Sequence, residues 1–310
     1  MKRISFLLAF SLLILLTCRA QEEITLSTMT GSIYGTLQVP DVHSPVPVVL
    51  IIAGSGPTDR NGNNTQMQNN SLKMLADSLM SHGIASLRYD KRGIAASKEA
   101  GPAEGDLRFD TYVDDAAAWI RKLRKDPRFS SVIVAGHSEG SLIGMIAAGS
   151  EKVKGMISIA GAGKPADQIL KDQLAGQPAA FKDASYRAID SLKAGKLVSS
   201  VSPDLYMLFR PSIQPYMISW FRYDPQQIIA GLTMPVLIVQ GINDIQIGKE
   251  DAEMLAKANP SAQLVLIQGM NHILKDSGPM RQENLATYSN PTLPLNAELV
   301  KNIIRFIGQL

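Results

Sequence analysis

The sequence has 310 residues, 45% of them hydrophobic and 19% charged. That is enough apolar material for one large domain, or a domain with an insertion, and it excludes global disorder. The formal charge of +3 comes from 31 Lys and Arg against 28 Asp and Glu, but Lys2, Arg3 and Arg19 all lie at the start, so the rest is neutral (31 − 3 = 28). Beyond that start there is no global attraction to nucleic acid or to an anionic membrane surface.

Residues 1–20 read as a signal peptide. Lys2 and Arg3 precede an apolar run, Ile4 to Leu16, and Cys18 and Ala20 place small residues before a predicted cleavage at Gln21. A rival reading takes "LLTC" as a lipobox with Cys18 as a lipid anchor, although Thr17 departs from the small residue usual there. Either way the expected product is exported, to a periplasm or the medium. Cys18 is the one cysteine, so a chain cleaved at Gln21 is expected to lack disulfide, thiol and Cys-ligated metal chemistry. No later stretch is long and apolar enough to span a bilayer.

The chain then alternates. "GSIYGTLQVP" reads as a strand near an edge, and "VPVVLIIAG" as a strand buried on both faces. After the polar loop "SGPTDRNGNNTQ", helical periodicity runs from Ser71 to Ser81 and stops at His82-Gly83. Strand "IASLRYD", a helix from Asp110 to Lys125, strand "SSVIVAG", a helix from Glu139 to Ala148 and strand "VKGMISIAG" follow. Such alternation predicts a mostly parallel sheet with helices on both faces. It breaks after Gly163: residues 164–231 carry helical patterns, several prolines and many of the large aromatic residues. Alternation resumes with strand "PVLIVQG", a helix from Gly248 to Ala258, strand "AQLVLIQG" and a last helix from Asn296 to Leu310. The reading is an α/β core, residues 21–163 and 232–310, interrupted by a helical cap, residues 164–231.

The stretch "VIVAGHSEGSLIG" holds Gly136-His137-Ser138-Glu139-Gly140. Gly-x-Ser-x-Gly means little alone. Between a buried strand and an Ala/Leu/Ile helix it predicts a sharp turn that exposes the Ser138 hydroxyl as a nucleophile. A serine needs a base. Of His43, His82, His137 and His272, only His272 follows the serine, as the chain order Ser, acid, His requires. Asp244, after strand "PVLIVQG", is the expected acid; Asp276 is the runner-up, and Asp251 falls inside the next helix. The oxyanion donors expected are the backbone N–H groups of Glu139 and Ser55, the latter in "AGSG" after the strand ending at Ala53.

The stretches "AGSGPTDRNGNN", "LRYDKRGIAAS", "AGHSEGSLI", "QGINDIQI" and "GMNHILK", in that order, resemble the α/β-hydrolase superfamily along the mature length. The sequence is similar to bacterial serine esterases of the EstD-like group, which are also grouped with serine aminopeptidase-like hydrolases. The resemblance implies an α/β-hydrolase fold with a helical cap, nucleophile Ser138, acid Asp244 and base His272. "AGSG" departs from the His-Gly motifs of many lipases, which leaves the first oxyanion donor less firmly carried over. Arg88 to Arg92 are expected to form a salt-bridged turn supporting the site. No metal or organic cofactor is implied; "GAGK" lacks the Ser/Thr of a phosphate loop, Pro165 standing there.

The expected activity is hydrolysis of a small-molecule ester with a small or medium acyl group. Peptidase and thioesterase chemistry on the same triad, and a noncatalytic binding protein on the same fold, are the alternatives. Tyr206, Phe209, Tyr216, Trp220 and Phe221 either line an apolar pocket or fasten the cap. The Glu139 carboxylate is expected to point away from the oxyanion.

Overall fold

The computed structural model describes residues 21–310; the signal-peptide and Cys18 readings lie outside the described residues. Eight strands form one sheet: β1 (Glu22–Thr28), β2 (Gly31–Gln38), β3 (Val46–Ile52), β4 (Ala85–Tyr89), β5 (Phe129–His137), β6 (Gly155–Ile159), β7 (Val236–Gly241) and β8 (Gln263–Ile267). Their order is β1-β2-β4-β3-β5-β6-β7-β8. Pairings β1/β2 and β2/β4 are antiparallel and the rest parallel.

Strand β3 shows why the sheet is covered on both faces. Val48, Leu50 and Ile52 enter one apolar cluster, and Val49, Ile51 and Ala53 the other. A strand alternates its side chains, so a run with no polar member must bury both sides. The first cluster takes in helices α2 (Phe109–Arg124), α3 (Glu139–Ser150) and α9 (Lys249–Ala258). The second takes in α1 (Ser71–Ser81) and α11 (Ala297–Ile307), through Leu72, Leu75, Leu79, Ile303 and Phe306. The last helix starts one residue later than the sequence suggested, because Asn296 caps it: its side chain accepts from the Leu299 N–H.

Two elements escaped the sequence reading. Strand β1 begins with two glutamates and keeps Ile24 and Leu26 only half-buried, so its alternation is weak; it is the sheet edge, and "GSIYGTLQ" lies one strand in. Helix α10 (Arg281–Ala286) is a short turn in a polar segment.

Between β6 and β7 stand α4 (Ala166–Leu174), α5 (Ala179–Lys193), α6 (Pro203–Phe209), α7 (Gln214–Trp220) and α8 (Pro225–Ala230). Helices α4 to α7 share a core that includes Ile189, Leu192, Leu205, Phe209, Met217 and Phe221, whereas Ile229 of α8 enters the first cluster of the main core. No helix among the described residues is long and apolar enough to cross a membrane.

Candidate active site

The sheet reverses its direction of growth at β3, with β4 on one side and β5 on the other. A crevice opens at the carboxyl ends of strands at such a switch point. Register fixes what meets there. Ile52 pairs with Gly136, so the loops carrying Ser55 and Ser138 leave the sheet side by side. Gly241 pairs with Ile267, which brings Asp244 and His272 to one edge.

Ser138 has φ 55° and ψ −122°, a strained conformation between β5 and α3. Strain of this kind persists only where the surroundings over-determine it. Here the surroundings are backbone. A Cβ on Gly136 would lie 2.1 Å from the Gly140 carbonyl oxygen, and one on Gly140 would lie 2.4 Å from that of Ile52. The Ser138 N–H donates to Ile159 O (2.9 Å), and the Ser138 carbonyl accepts from the Ser141 N–H (2.9 Å). Both backbone groups of the serine are thus committed, and the residue lines the crevice together with Ser55, Glu139 and Leu142.

His272 Nδ1 lies 2.7 Å from Asp244 Oδ2. Burial alone would raise the Asp244 carboxyl. The His272 ring and the N–H groups of Ile247 and Gln246 outweigh that and hold its pKa below the usual range. Gln240 Nε2 adds a bond to Asp244 Oδ2 (3.1 Å). An ionised carboxylate on Nδ1 keeps the proton there and leaves Nε2 free as a base. Ser138 and His272 line one cavity of about 140 Å³, without a hydrogen bond between their side chains among the described residues. Such bonds commonly tighten only with substrate in place.

The rival acids are occupied elsewhere. Asp276 Oδ1 accepts from Asn296 Nδ2, and Asp251 Oδ1 accepts from the Gly163 N–H at the cap's entry. His43 and His82 form no part of the cavities around Ser138.

His137 has a role that elimination missed. Its Nε2 is 2.8 Å from the His272 carbonyl oxygen, and the two rings pack with centroids 4.9 Å apart. Burial, then the neighbouring His272, pull its pKa down to about 4, so it is neutral near pH 7 and donates Nε2–H to that carbonyl. This contact answers a geometric problem. β8 stands three strands from β5, about 14 Å at ordinary strand spacing. The loop after β8 must therefore turn back across the sheet edge, and His137, beside Ser138, holds it there.

Ser55 and Glu139 both line the large cavity with Ser138, and neither backbone N–H donates to a protein acceptor among the described residues. Of the expected Arg88–Arg92 turn, Asp90, Lys91 and Arg92 form ion pairs, while Arg88 lies in β4 and donates to the Asn61 and Gln38 side chains. Arg60 binds Asp90 (2.8 Å), Arg92 binds Asp115, and Lys91 binds Glu139 (2.9 Å). The Glu139 carboxylate is thus engaged by a lysine from the turn after β4.

The main cavity, about 520 Å³, runs from Ser138 under the cap between Leu142, Ile169, Leu170, Met207, Met217 and Trp220. Of the five cap aromatics singled out from the sequence, Tyr216 and Trp220 line it. Phe209 and Phe221 instead fill the cap's own core, and Tyr206 is exposed. No cluster of metal-ligating residues occurs among the described residues.

Residues 67–276 match the family described as Serine aminopeptidase, S33. The chain belongs to this family of α/β hydrolases. It is 26% identical over 261 residues to Esterase EstD of Thermotoga maritima, a match covering 82% of this chain and 60% of that protein. Among solved structures, Est1E of Butyrivibrio proteoclasticus with ferulic acid bound superposes with a TM-score of 0.65 at 19% identity, over 93% of this chain and all of that one. Porphyromonas gingivalis dipeptidyl peptidase 4 superposes at 0.55 and 14% identity, over 93% of this chain and 35% of the other. These two likenesses speak to the fold alone.

Proposed function

We propose that the protein is an exported serine esterase working through an acyl-enzyme. His272 Nε2 takes the proton of Ser138 Oγ as the oxygen attacks the ester carbonyl. The N–H groups of Ser55 and Glu139 receive the oxyanion, and Asp244 stabilises the imidazolium. Collapse of the tetrahedral intermediate expels the alcohol, which leaves with the proton His272 returns. Water repeats the cycle on the acyl-serine and frees the carboxylic acid. The observation that carries this reading is the His272–Asp244 bond on Nδ1, opposite a serine held in a strained strand-to-helix turn.

The two cavities favour an ester with an apolar acyl group and a small, polar alcohol. The leaving oxygen must reach His272, which lines the smaller cavity beside Thr58, Asn64, Asn69 and Tyr288. His272 does not line the larger one, where the walls are mostly aliphatic and aromatic. The acyl chain then lies under the cap.

Esterase is favoured over aminopeptidase by charge. A free α-ammonium needs a carboxylate, and Glu139, the one acid lining either cavity, is already bound by Lys91.

Fluorophosphonate labelling of the protein and of Ser138→Ala tests the nucleophile: label is expected on the first alone, and equal labelling sinks the reading. Comparing p-nitrophenyl butyrate with aminoacyl p-nitroanilides tests the class, faster anilide turnover being the outcome against it. Export is tested by the mature N-terminus, expected at Gln21.

A further inference from the structure

The three strands β4, β3 and β5 are neighbours, and each releases one residue of a buried triangle: Lys91 after β4, Gly54 after β3 and Glu139 after β5. Lys91 Nζ donates to the Gly54 carbonyl oxygen at 2.7 Å and to Glu139 Oε1 at 2.9 Å, and it lies 4.9 Å from the centre of the Tyr112 ring. Lys91 is 1% exposed. A lysine so deeply buried, aimed at one carbonyl and one carboxylate, is costly unless its neighbours need it.

We propose that Lys91 is the positioning residue of the oxyanion hole, one cation that aims both donors. This rests on the serine-esterase reading above. The carbonyl that Lys91 holds belongs to the same peptide unit as the Ser55 N–H. A peptide is planar and trans, so its C=O and N–H point in opposite directions. Fixing the Gly54 oxygen on the ammonium therefore turns the Ser55 N–H the other way, toward the cavity that Ser138 shares. Polarisation acts in the same sense, because an ammonium on the oxygen of an amide strengthens the hydrogen bond its N–H can give.

The second bond completes the brace. Glu139 supplies the other donor through its own backbone, and its side chain is tied to the same ammonium. The two loops could otherwise drift apart, since the pairing of β3 with β5 ends at Ile52 and Gly136, before either donor. Lys91 closes that gap from the third strand. The ion pair also explains why a carboxylate is tolerable one residue from the nucleophile: its charge is answered locally instead of opposing the oxyanion.

A bare Lys91→Met leaves Glu139 buried and unpaired, which threatens folding, so Lys91→Met/Glu139→Gln is made beside it and folding of each is followed by thermal unfolding. The readouts are kcat and KM on p-nitrophenyl butyrate, and affinity for an alkyl trifluoromethyl ketone against affinity for butyrate. The ketone forms a tetrahedral adduct that uses the hole, and butyrate does not require it. The folded double variant is expected to lose about 10- to 100-fold in kcat with little change in KM, short of removing a donor outright. Its affinity for the ketone should fall by a similar factor while butyrate binding stays near that of the parent.

A folded double variant within twofold of the parent in kcat overturns the proposal. So does an equal loss of affinity for ketone and butyrate, which is the mark of a merely structural role. Ser138→Ala is assayed in parallel. If it is inactive, failure of the Lys91 prediction leaves the esterase reading standing; if it retains turnover, the esterase reading falls and the brace with it.

Discussion

The elbow and the cap are held in opposite ways. Around Ser138 the constraints are backbone against backbone: the glycines at 136 and 140 have carbonyl groups where a Cβ would go. The cap is fastened to the core largely by side chains. Arg210 and Ser212 bind Glu104, Arg222 and Tyr223 bind Asp110, and Phe109 stacks on Trp220 with centroids 5.9 Å apart. On the proposed esterase reading, reaction geometry is thus fixed where no side chain can be exchanged cheaply, and the surface assigned to the acyl group is fixed where side chains can change one at a time.

The largest expected effects lie at the elbow and its partners. Ser138→Ala should lower kcat by about 10⁴-fold or more. Asp244→Asn should cost about 10⁴-fold, with the protein still folded, because an amide no longer holds the Nδ1–H tautomer. Gly140→Ala has no such margin. Its methyl group would meet two backbone oxygens, those of Ile52 and Ala53, so loss of soluble folded protein is expected. A stable, active Gly140→Ala would break the contrast between the two regions.

The same contrast sets what the sequence could say. The fold was legible because two-faced apolar strands such as "VPVVLII" and amphipathic helices each announce a layer, and their alternation announces the sheet. Ser138, Asp244 and His272 stood out through chain order and strand ends, and the structure brings the last two within 2.7 Å. The return of the β8 loop to β5 was not legible, so neither was the bond from His137 that holds it. From sequence Lys91 reads only as part of a structural turn, because its partners lie 37 and 48 residues away and meet it only through strand order. The cap aromatics could not be sorted either. Helical periodicity marks an apolar face without saying whether it meets a cavity or another helix, and Phe209 and Tyr216 come out on different sides of that choice.

A smaller effect tests His137. Its pKa is about 4 in the folded chain against an ordinary 6.5, so as pH falls the unfolded chain takes the proton first. The stability that depends on neutral His137 is complete above pH 6.5 and is lost as pH falls toward 4. Denaturant unfolding at pH 7 and pH 5 should show a loss of about 2 kcal/mol from this group alone. His137→Gln, which keeps a donor and cannot be protonated, should remove that share. An unchanged acid dependence in His137→Gln would show that the buried histidine is not what the acid attacks.

The smallest effect on stability, and the one that best separates the two regions, is at the cap. The Arg210–Glu104 pair is partly exposed to solvent and ties the end of α6 to the core. Exposed pairs contribute little, so Arg210→Gln should cost no more than about 1 kcal/mol in unfolding experiments. Arg210 also lines the main cavity, as does Met207 of the same helix, which is 79% exposed. Loosening this corner should leave hydrolysis of p-nitrophenyl acetate within about twofold, because acetate is too short to reach it. KM for longer acyl esters should change instead, and the effect should grow with chain length as each added methylene, worth about 0.8 kcal/mol when buried, meets a less ordered wall. If acetate and octanoate esters respond alike, the cap corner is acting on Ser138 itself, and the division between a backbone-built reaction centre and a side-chain-built acyl surface does not hold.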